Sequence, residues 1–459
     1  MSEGSIGEKL SGDTTQVISR ARALWRRLRM KFARLVAPEL NPEAVRARLR
    51  HVERRMHKLE ARLVVLTGRK AATPPVSTFN RPVNLYLDFA RDCLACPDVH
   101  GADVYVAHGV QALPAASALA QQAGSTYFCD VIEIPSFAAR ALPSRWHPTT
   151  LEMLDCAFET YLRRADGLLT VGKTLGEEIR PLNAHVHVIP NYRPAEILVP
   201  SAALRERCGL RADDALVVSI STVTTGVEVV LDALATLPAN VHLATVGRFA
   251  QRDYQVACLA QAERLGIAHR LHCFEPVPYP ELASFASSAD VGLIVCDPLI
   301  PNHRVSLPNR IFDYMFSGVP VCTPEIADIA GIVRRWDMGA VVAELRASDW
   351  AQAISATLAR REALRANALR AAGELVWESL EERLYEALGR PGRVCFLGFN
   401  YLLDNNRTVR MARSLAKWGV DVTIASLPTT GASVTRTTDP GPGVRAVTIA
   451  GGPKAPAPA

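Results

Sequence analysis

The sequence predicts an α/β protein made of two open parallel-sheet lobes behind a helical extension. Three observations carry that expectation. Two successive stretches alternate short apolar runs with helical periodicity, an ordered helix-turn-strand string spans Leu307 to Val321, and the amino-terminal segment is basic and patterned in sevens. With 459 residues and 49% hydrophobic content, the chain can bury two cores of ordinary size and still carry appendages.

The extension comes first. Residues 1–70 hold 17 Lys or Arg against 7 Asp or Glu, so the remaining chain is close to neutral and a nucleic-acid role resting on a basic groove is poorly supported. Over 17–36, Val17, Ala21, Leu24, Leu28, Phe32 and Leu35 share one helical face while arginines crowd the other. Such a helix suits peripheral contact with an anionic membrane, or it packs on its own protein. From Val45 to Leu66 apolar residues alternate spacings of four and three, the seam of a coiled coil and hence of a homo-oligomer, or of a helix docked on the body. No apolar run approaches the roughly 18 residues of a membrane span, and the first residues are polar rather than leader-like, which points to a cytoplasmic protein, peripheral on the inner face of the membrane if the helix binds lipid.

Residues 71–81 form a Pro- and Thr-containing linker. The first lobe, 82–197, has strand candidates at 103–107, 125–130, 167–171 and 185–189. The second, 198–390, has them at 216–221, 241–246, 271–274, 291–296 and 319–322. In the Leu307 string, Pro308 can open a helix, Asp313 sits about a turn and a half on, and Gly318 and Pro320 end it before a buried strand. The tail, 391–459, reads as a strand at 393–398, a helix at 407–417, then strands at 420–425 and 444–449.

Four early strands alone would leave a long apolar sheet edge. The tail can fold back and supply the missing strands, in effect a circular permutation. It can instead open a second, truncated module, or a partner chain can donate the strands.

The ten cysteines show no framework. Cys93 and Cys96 lack the second pair that a zinc site needs, so reduced thiols are expected. No GxGxxG follows a strand with an acid about twenty residues on, which weakens a nicotinamide-dependent role.

The string LPNRIFDYMFSGVPV resembles the motif LPNKxFEYxAxGxPV of glycosyltransferase family 4, and HLATVGRF, SSADVGLIVCDP and the first-lobe strings ADVYVAHGVQALPAA and TYFCDVIE are similar to that family's two lobes. The likeness covers about residues 100–390. A tail segment, NNRTVRMARSLAKWGVDVTIAS, resembles the opening of such an enzyme but stands at the opposite end of the chain. The resemblance implies a GT-B fold and a retaining transfer of sugar from a nucleotide-sugar donor to a glycan or lipid-linked acceptor, in surface polysaccharide synthesis. It implies no cofactor and, without a DxD triplet, no required metal.

On this reading Asp313 holds the ribose hydroxyls, and Arg310, in the triplet that includes Asn309, grips the diphosphate where the family has lysine. Gly226 and Thr225, before a helix starting near Val227, offer backbone to phosphate, and Arg248 is a further cation. Val305 stands where the family places a sugar-binding glutamate, with His303, Arg304 and Ser306 nearby as partial substitutes. In the first lobe, His108, Asp130 and Glu133 lie at carboxyl strand ends facing the crevice, and Ile132 replaces a family histidine. Asn191 marks the hinge. If the tail completes the lobe, Gly398 and Asn400 lie near the diphosphate. The departures leave a second expectation open: a catalytically degenerate GT-B protein that binds nucleotide or glycan, or scaffolds partners.

Overall fold

A computed structural model describes residues 81–135, 137, 148–400, 402, 405–428 and 440–449. The membrane-helix and coiled-coil expectations for 1–70 lie outside these residues, as does the linker expected at 71–81 up to residue 80.

Strands covered by helices on both faces read as continuous apolar runs rather than alternating ones. VYVAH, TYFCDV, ALVVSI and VHLATV have that composition and are almost wholly buried. The first lobe begins with α1 (Arg81–Leu94), β1 (Val104–His108), α2 (Leu113–Ala123), β2 (Thr126–Val131), α3 (Pro148–Arg164), β3 (Gly167–Thr170), α4 (Lys173–Ile179) and β4 (Val186–Val188). The second lobe runs through α5 (Ala203–Arg207), β5 (Ala215–Ile220), α6 (Val227–Thr236), β6 (Val241–Val246), α7 (Arg252–Arg264), β7 (Leu271–Phe274), α8 (Tyr279–Ala286) and β8 (Val291–Leu293). It continues with α9 (Pro301–Arg304), α10 (Arg310–Phe316), β9 (Val321–Pro324), α11 (Ala327–Trp336), β10 (Gly339–Val342), α12 (Ala347–Ala359) and α13 (Arg361–Glu374). The chain then returns to the first lobe as α14 (Glu381–Ala387), β11 (Arg393–Gly398), α15 (Asn406–Lys417), β12 (Asp421–Ser426) and β13 (Val444–Thr448).

The strands form two parallel sheets. One has the order β13-β12-β11-β1-β2-β3-β4 and the other β10-β9-β8-β5-β6-β7. The tail strands therefore share a sheet with the four early ones, and β11 lies beside the central strand β1, pairing with it from Val394 opposite Val104 to Gly398 opposite His108. Gly398 is needed there because a Cβ would come within 2.3 Å of Leu402 Cγ. β10 was not expected from the sequence. It is a short edge strand opened by a glycine, with most of its side chains only half buried, so its apolar signal is weak.

Two chain segments join the lobes side by side. Arg193 on the outward path bridges Val376 on the return, where Trp377 N–H donates to Arg193 C=O at 2.8 Å and Ala195 N–H donates to Glu378 Oε2 at 2.9 Å. Trp377 sits in the first-lobe core with Leu380, Phe396 and Met411, and its Nε1–H donates to Ser414 Oγ at 2.7 Å. The crossing segment thus anchors against tail helix α15.

Phe396 has no exposed surface and packs where β11 meets the first-lobe core. Phe396→Ala is expected to destabilise the first lobe by about 3–5 kcal/mol, read as a lowered urea midpoint for the transition that includes that lobe.

Candidate active site

His108 ends β1 and Asp130 lies near the end of the neighbouring β2, where their register sets them side by side. His108 Nδ1 is 2.9 Å from Asp130 Oδ2. The tail completes the group. Arg407, in the first turn of α15, donates through Nε at 3.0 Å to both Asp130 oxygens, through Nη2 at 2.8 Å to Oδ1, and through Nη1 to Ile189 C=O at 2.6 Å.

Asn405 caps α15, its Oδ1 accepting from Arg407 N–H at 3.1 Å and Thr408 N–H at 3.0 Å, the usual service of an N-cap amide. Its Nδ2 therefore faces His108 Nε2, at 2.8 Å. This network assigns His108 as the neutral tautomer that accepts at Nε2 and donates from Nδ1 to Asp130.

Asp130 has no exposed surface, so it does not form the polar wall of the crevice expected from the sequence. Burial alone would raise its carboxyl, but Arg407 and then His108 hold it well below the ordinary carboxylate range. Glu133 is exposed. Partial loss of solvent pushes its carboxyl up.

The second lobe contributes Ser306 through Asn309. Ser306 Oγ donates to His303 C=O at 2.9 Å, and Val305 is buried, so no side chain from that position reaches a sugar. Arg310 opens α10 and donates to Ser221 Oγ at 2.8 Å and Cys296 Sγ at 3.2 Å, which sets it at the carboxyl end of β5.

Other donor-side expectations need correction. Gly226 has φ 87° and precedes α6, where a Cβ would meet Val295 Cγ1 at 2.6 Å. However, the Val227 N–H is taken by Tyr254 Oη at 3.0 Å, and that hydroxyl donates to the Glu228 carboxylate. An anion already stands at this helix start, so a phosphate beside Thr225 and Gly226 would meet like charge. Arg248 is 68% exposed in its side chain, faces Glu275 at 3.6 Å, and is absent from the cavity lining.

Asp313 requires the largest correction. Its side chain is buried, and Arg193 Nη1 donates to its Oδ1 at 2.7 Å. Arg193 in turn lies over the Tyr279 ring, 5.0 Å from its centroid. Burial pushes the Asp313 carboxyl up, opposed by Arg193 and Arg410. The carboxylate expected to accept ribose hydroxyls in the cleft is instead a member of the joint between the lobes. Asn191 belongs to the same joint, donating from Nδ2 to Asn309 Oδ1 at 2.5 Å and accepting from Arg410. A further tie runs from Asp328 of α11, which accepts from Thr174 N–H and from Thr174 Oγ1–H at 3.0 Å.

Between the lobes lies a cavity of about 370 Å³, lined by His108, Ile132, Val171 and Asn191, by Ser306 to Asn309, and by Asn405 to Arg407. The structure therefore brings His108, Ser306 and Asn309 to one cavity, with Arg310 one residue on. It leaves Thr225, Gly226 and Arg248 off the lining and encloses Asp130 and Asp313. Sequence reasoning missed Arg193, Asn405, Arg407 and Asp328. An asparagine before a helical run was a legible cap signal at Asn405; a buried arginine such as Arg407 or Arg193 gives no signal of its own. Among the described residues no group of three or more His, Cys, Asp or Glu could hold a metal ion.

Two facing parallel-sheet lobes with a polar cavity between them define the GT-B architecture, and solved structures share it. Sucrose-phosphate synthase from Thermosynechococcus elongatus is 18% identical, with TM-score 0.56, over 70% of this chain and 82% of that one. Anabaena HepE in complex with UDP and glucose is 18% identical, with TM-score 0.53, over 62% and 78%. More particularly, residues 215–360, within the second lobe, match the family model for Glycosyl transferases group 1. Among curated relatives, D-inositol 3-phosphate glycosyltransferase of Geodermatophilus obscurus is 34% identical over 126 residues, 28% of this chain and 27% of that protein. That of Thermobispora bispora is 29% identical over 227 residues, 46% and 51%. The chain thus spans about a quarter to a half of the length of these relatives.

Asp130→Asn leaves the Arg407 charge buried without its partner and is expected to destabilise the first lobe by about 3–5 kcal/mol at neutral pH. Because the folded-state value is depressed, this difference is full above the unfolded carboxyl value of about 3.9 and shrinks as pH falls through the folded value. Chemical unfolding of both proteins across pH 2–7, a range set by those values, measures it; a gap that stays constant to the acid end contradicts the assignment.

Proposed function

We propose that this chain transfers a sugar from a nucleotide-diphosphate donor to a glycan or lipid-linked acceptor, with retention of anomeric configuration, within the family 4 group and in surface polysaccharide synthesis. The observation that carries the reading is the Glycosyl transferases group 1 domain lying across a polar cavity from His108 and the capped start of α15. Arg310 supports it. A guanidinium at the carboxyl end of β5 can hold two diphosphate oxygens as negative charge grows on the leaving group.

In the step proposed, the acceptor oxygen bonds to the anomeric carbon on the face from which the diphosphate departs. The bond from that carbon to the phosphate oxygen breaks, and the acceptor proton passes to the departing phosphate. No protein base is needed, which suits a site whose histidine has both nitrogens engaged. What remains for the protein is positioning and charge stabilisation. The basic segment at 17–36 suits a lipid-linked acceptor at an anionic surface on the cytoplasmic side, and the heptads after Val45 suit self-association. Among the described residues no helix is long and apolar enough to cross a membrane.

A second reading is favoured by two specific observations: Asp313 is committed to Arg193, and Val305 is an enclosed valine. On that reading the chain binds nucleotide or glycan without turnover. The readings part on donor consumption. With a panel of nucleotide sugars, the transferase reading expects release of nucleoside diphosphate, and Arg310→Ala is expected to lower kcat/KM by about 100-fold. No donor consumed, with nucleotide binding retained by calorimetry, establishes the binding reading instead.

A further inference from the structure

We propose that the interlobe cavity takes an uncharged polyhydroxyl acceptor and discriminates against a phosphorylated one. This inference rests on the transferase reading and narrows its acceptor. The cavity is lined mainly by first-lobe and tail residues, the side opposite the donor domain.

The argument is one of charge and of unused bonding capacity. A phosphate dianion is ordinarily held by cations or by the free backbone N–H groups of a helix start. Among the described residues the one cation lining the cavity, Arg407, is 3% exposed and spends its donors on Asp130 and Ile189, so the pair contributes no net charge. His108 has both ring nitrogens engaged, by Asp130 and by Asn405, and keeps no N–H for a ligand. The start of α15, a twelve-residue helix aimed at the cavity, would ordinarily welcome an anion. Here Asn405 Oδ1 already accepts from Arg407 N–H and Thr408 N–H, two of the first three N–H groups, which leaves little of that end for an anion.

What stays available is neutral. The Asn406 side chain and Asn309 Nδ2 have no hydrogen-bond partner among the described residues, and Ser306 Oγ keeps its acceptor lone pairs. Amides and a hydroxyl both donate and accept, as sugar hydroxyls do. Ile132, 38% exposed, and Leu307 supply apolar surface for a ring face. The volume of about 370 Å³ falls in the lower part of the usual range for small-molecule sites. The curated relatives are named for an inositol phosphate, so the proposal separates this chain from them.

The test uses the full chain, a panel of nucleotide-sugar donors, and acceptors in matched pairs: inositol with D-inositol 3-phosphate, and octyl glucoside with its 6-phosphate. Product is followed by mass. The expected result is at least tenfold higher kcat/KM for the neutral member of a pair. Asn406→Lys, at an exposed position, is expected to cut that preference about tenfold by adding a cation, a change in ratio that a merely structural role would not produce. Equal or greater use of the phosphorylated member overturns the inference and leaves the transferase reading intact. Donor hydrolysis with no transfer to either member of any pair overturns the assignment of the cavity to a polyol. No donor consumption at all removes the transferase reading and this inference with it.

Discussion

The buried pair of Asp130 and Arg407 is the constraint on which the first lobe depends. Its members are 277 residues apart in the chain and are brought together only when α15 docks on the sheet. Burying two charges is expensive, and such a pair adds little net stability over a well-packed apolar alternative. Its effect is to penalise every arrangement in which one member is buried alone. A sheet closed without the tail would leave Asp130 enclosed and unpaired, so the pair selects the one topology in which β11 lies beside β1. The same carboxylate sets the tautomer of His108, so that choice of topology also fixes the polar face of the cavity.

A second set of charges works at the joint. Arg193 and Asp313 meet across the two lobes, Arg410 reaches Asn191 and Tyr192 from the tail helix, and Asp328 ties α11 to α4. These contacts span the lobe boundary, so the cavity between them has a defined width. They also explain how the carboxylate in the Leu307 to Val321 string can be absent from the cleft. α10 presents Asp313 one turn below the helix start, and an arginine on the linker is there to meet it. Where a linker offers no such cation, the same residue would have to face solvent or ligand.

Much of the architecture was legible in the sequence. Continuous apolar runs such as ALVVSI and VHLATV read as strands covered on both faces, and the Pro308 to Pro320 string marked α10 and the strand after it. Edge strand β10 was not legible, because a short, half-exposed strand carries little hydrophobic signal. The site was harder to read. Residue type announced that Asp130, Asp313 and Arg310 would matter, but a local pattern cannot tell a carboxylate that faces ligand from one that meets an arginine brought from elsewhere in the chain. The partners, Arg407 and Arg193, look like ordinary surface arginines until the topology is known. The helix start at Val227 misled for the same reason: Tyr254, which occupies its first N–H, lies a full strand and loop away in sequence.

The nesting of one lobe within the other bears on how the protein is made. Asp103 and Arg393, which meet at the foot of the central strand pair, are separated by 290 residues. On a ribosome adding about 5–20 residues per second, β1 waits roughly 15 to 60 s for β11 to emerge, while the intervening lobe is already long enough to complete itself. The nascent chain therefore carries a finished domain beside a half-built sheet whose growing edge is open. Chaperone protection of that edge, rather than of the chain as a whole, is the demand this order of synthesis places on the cell.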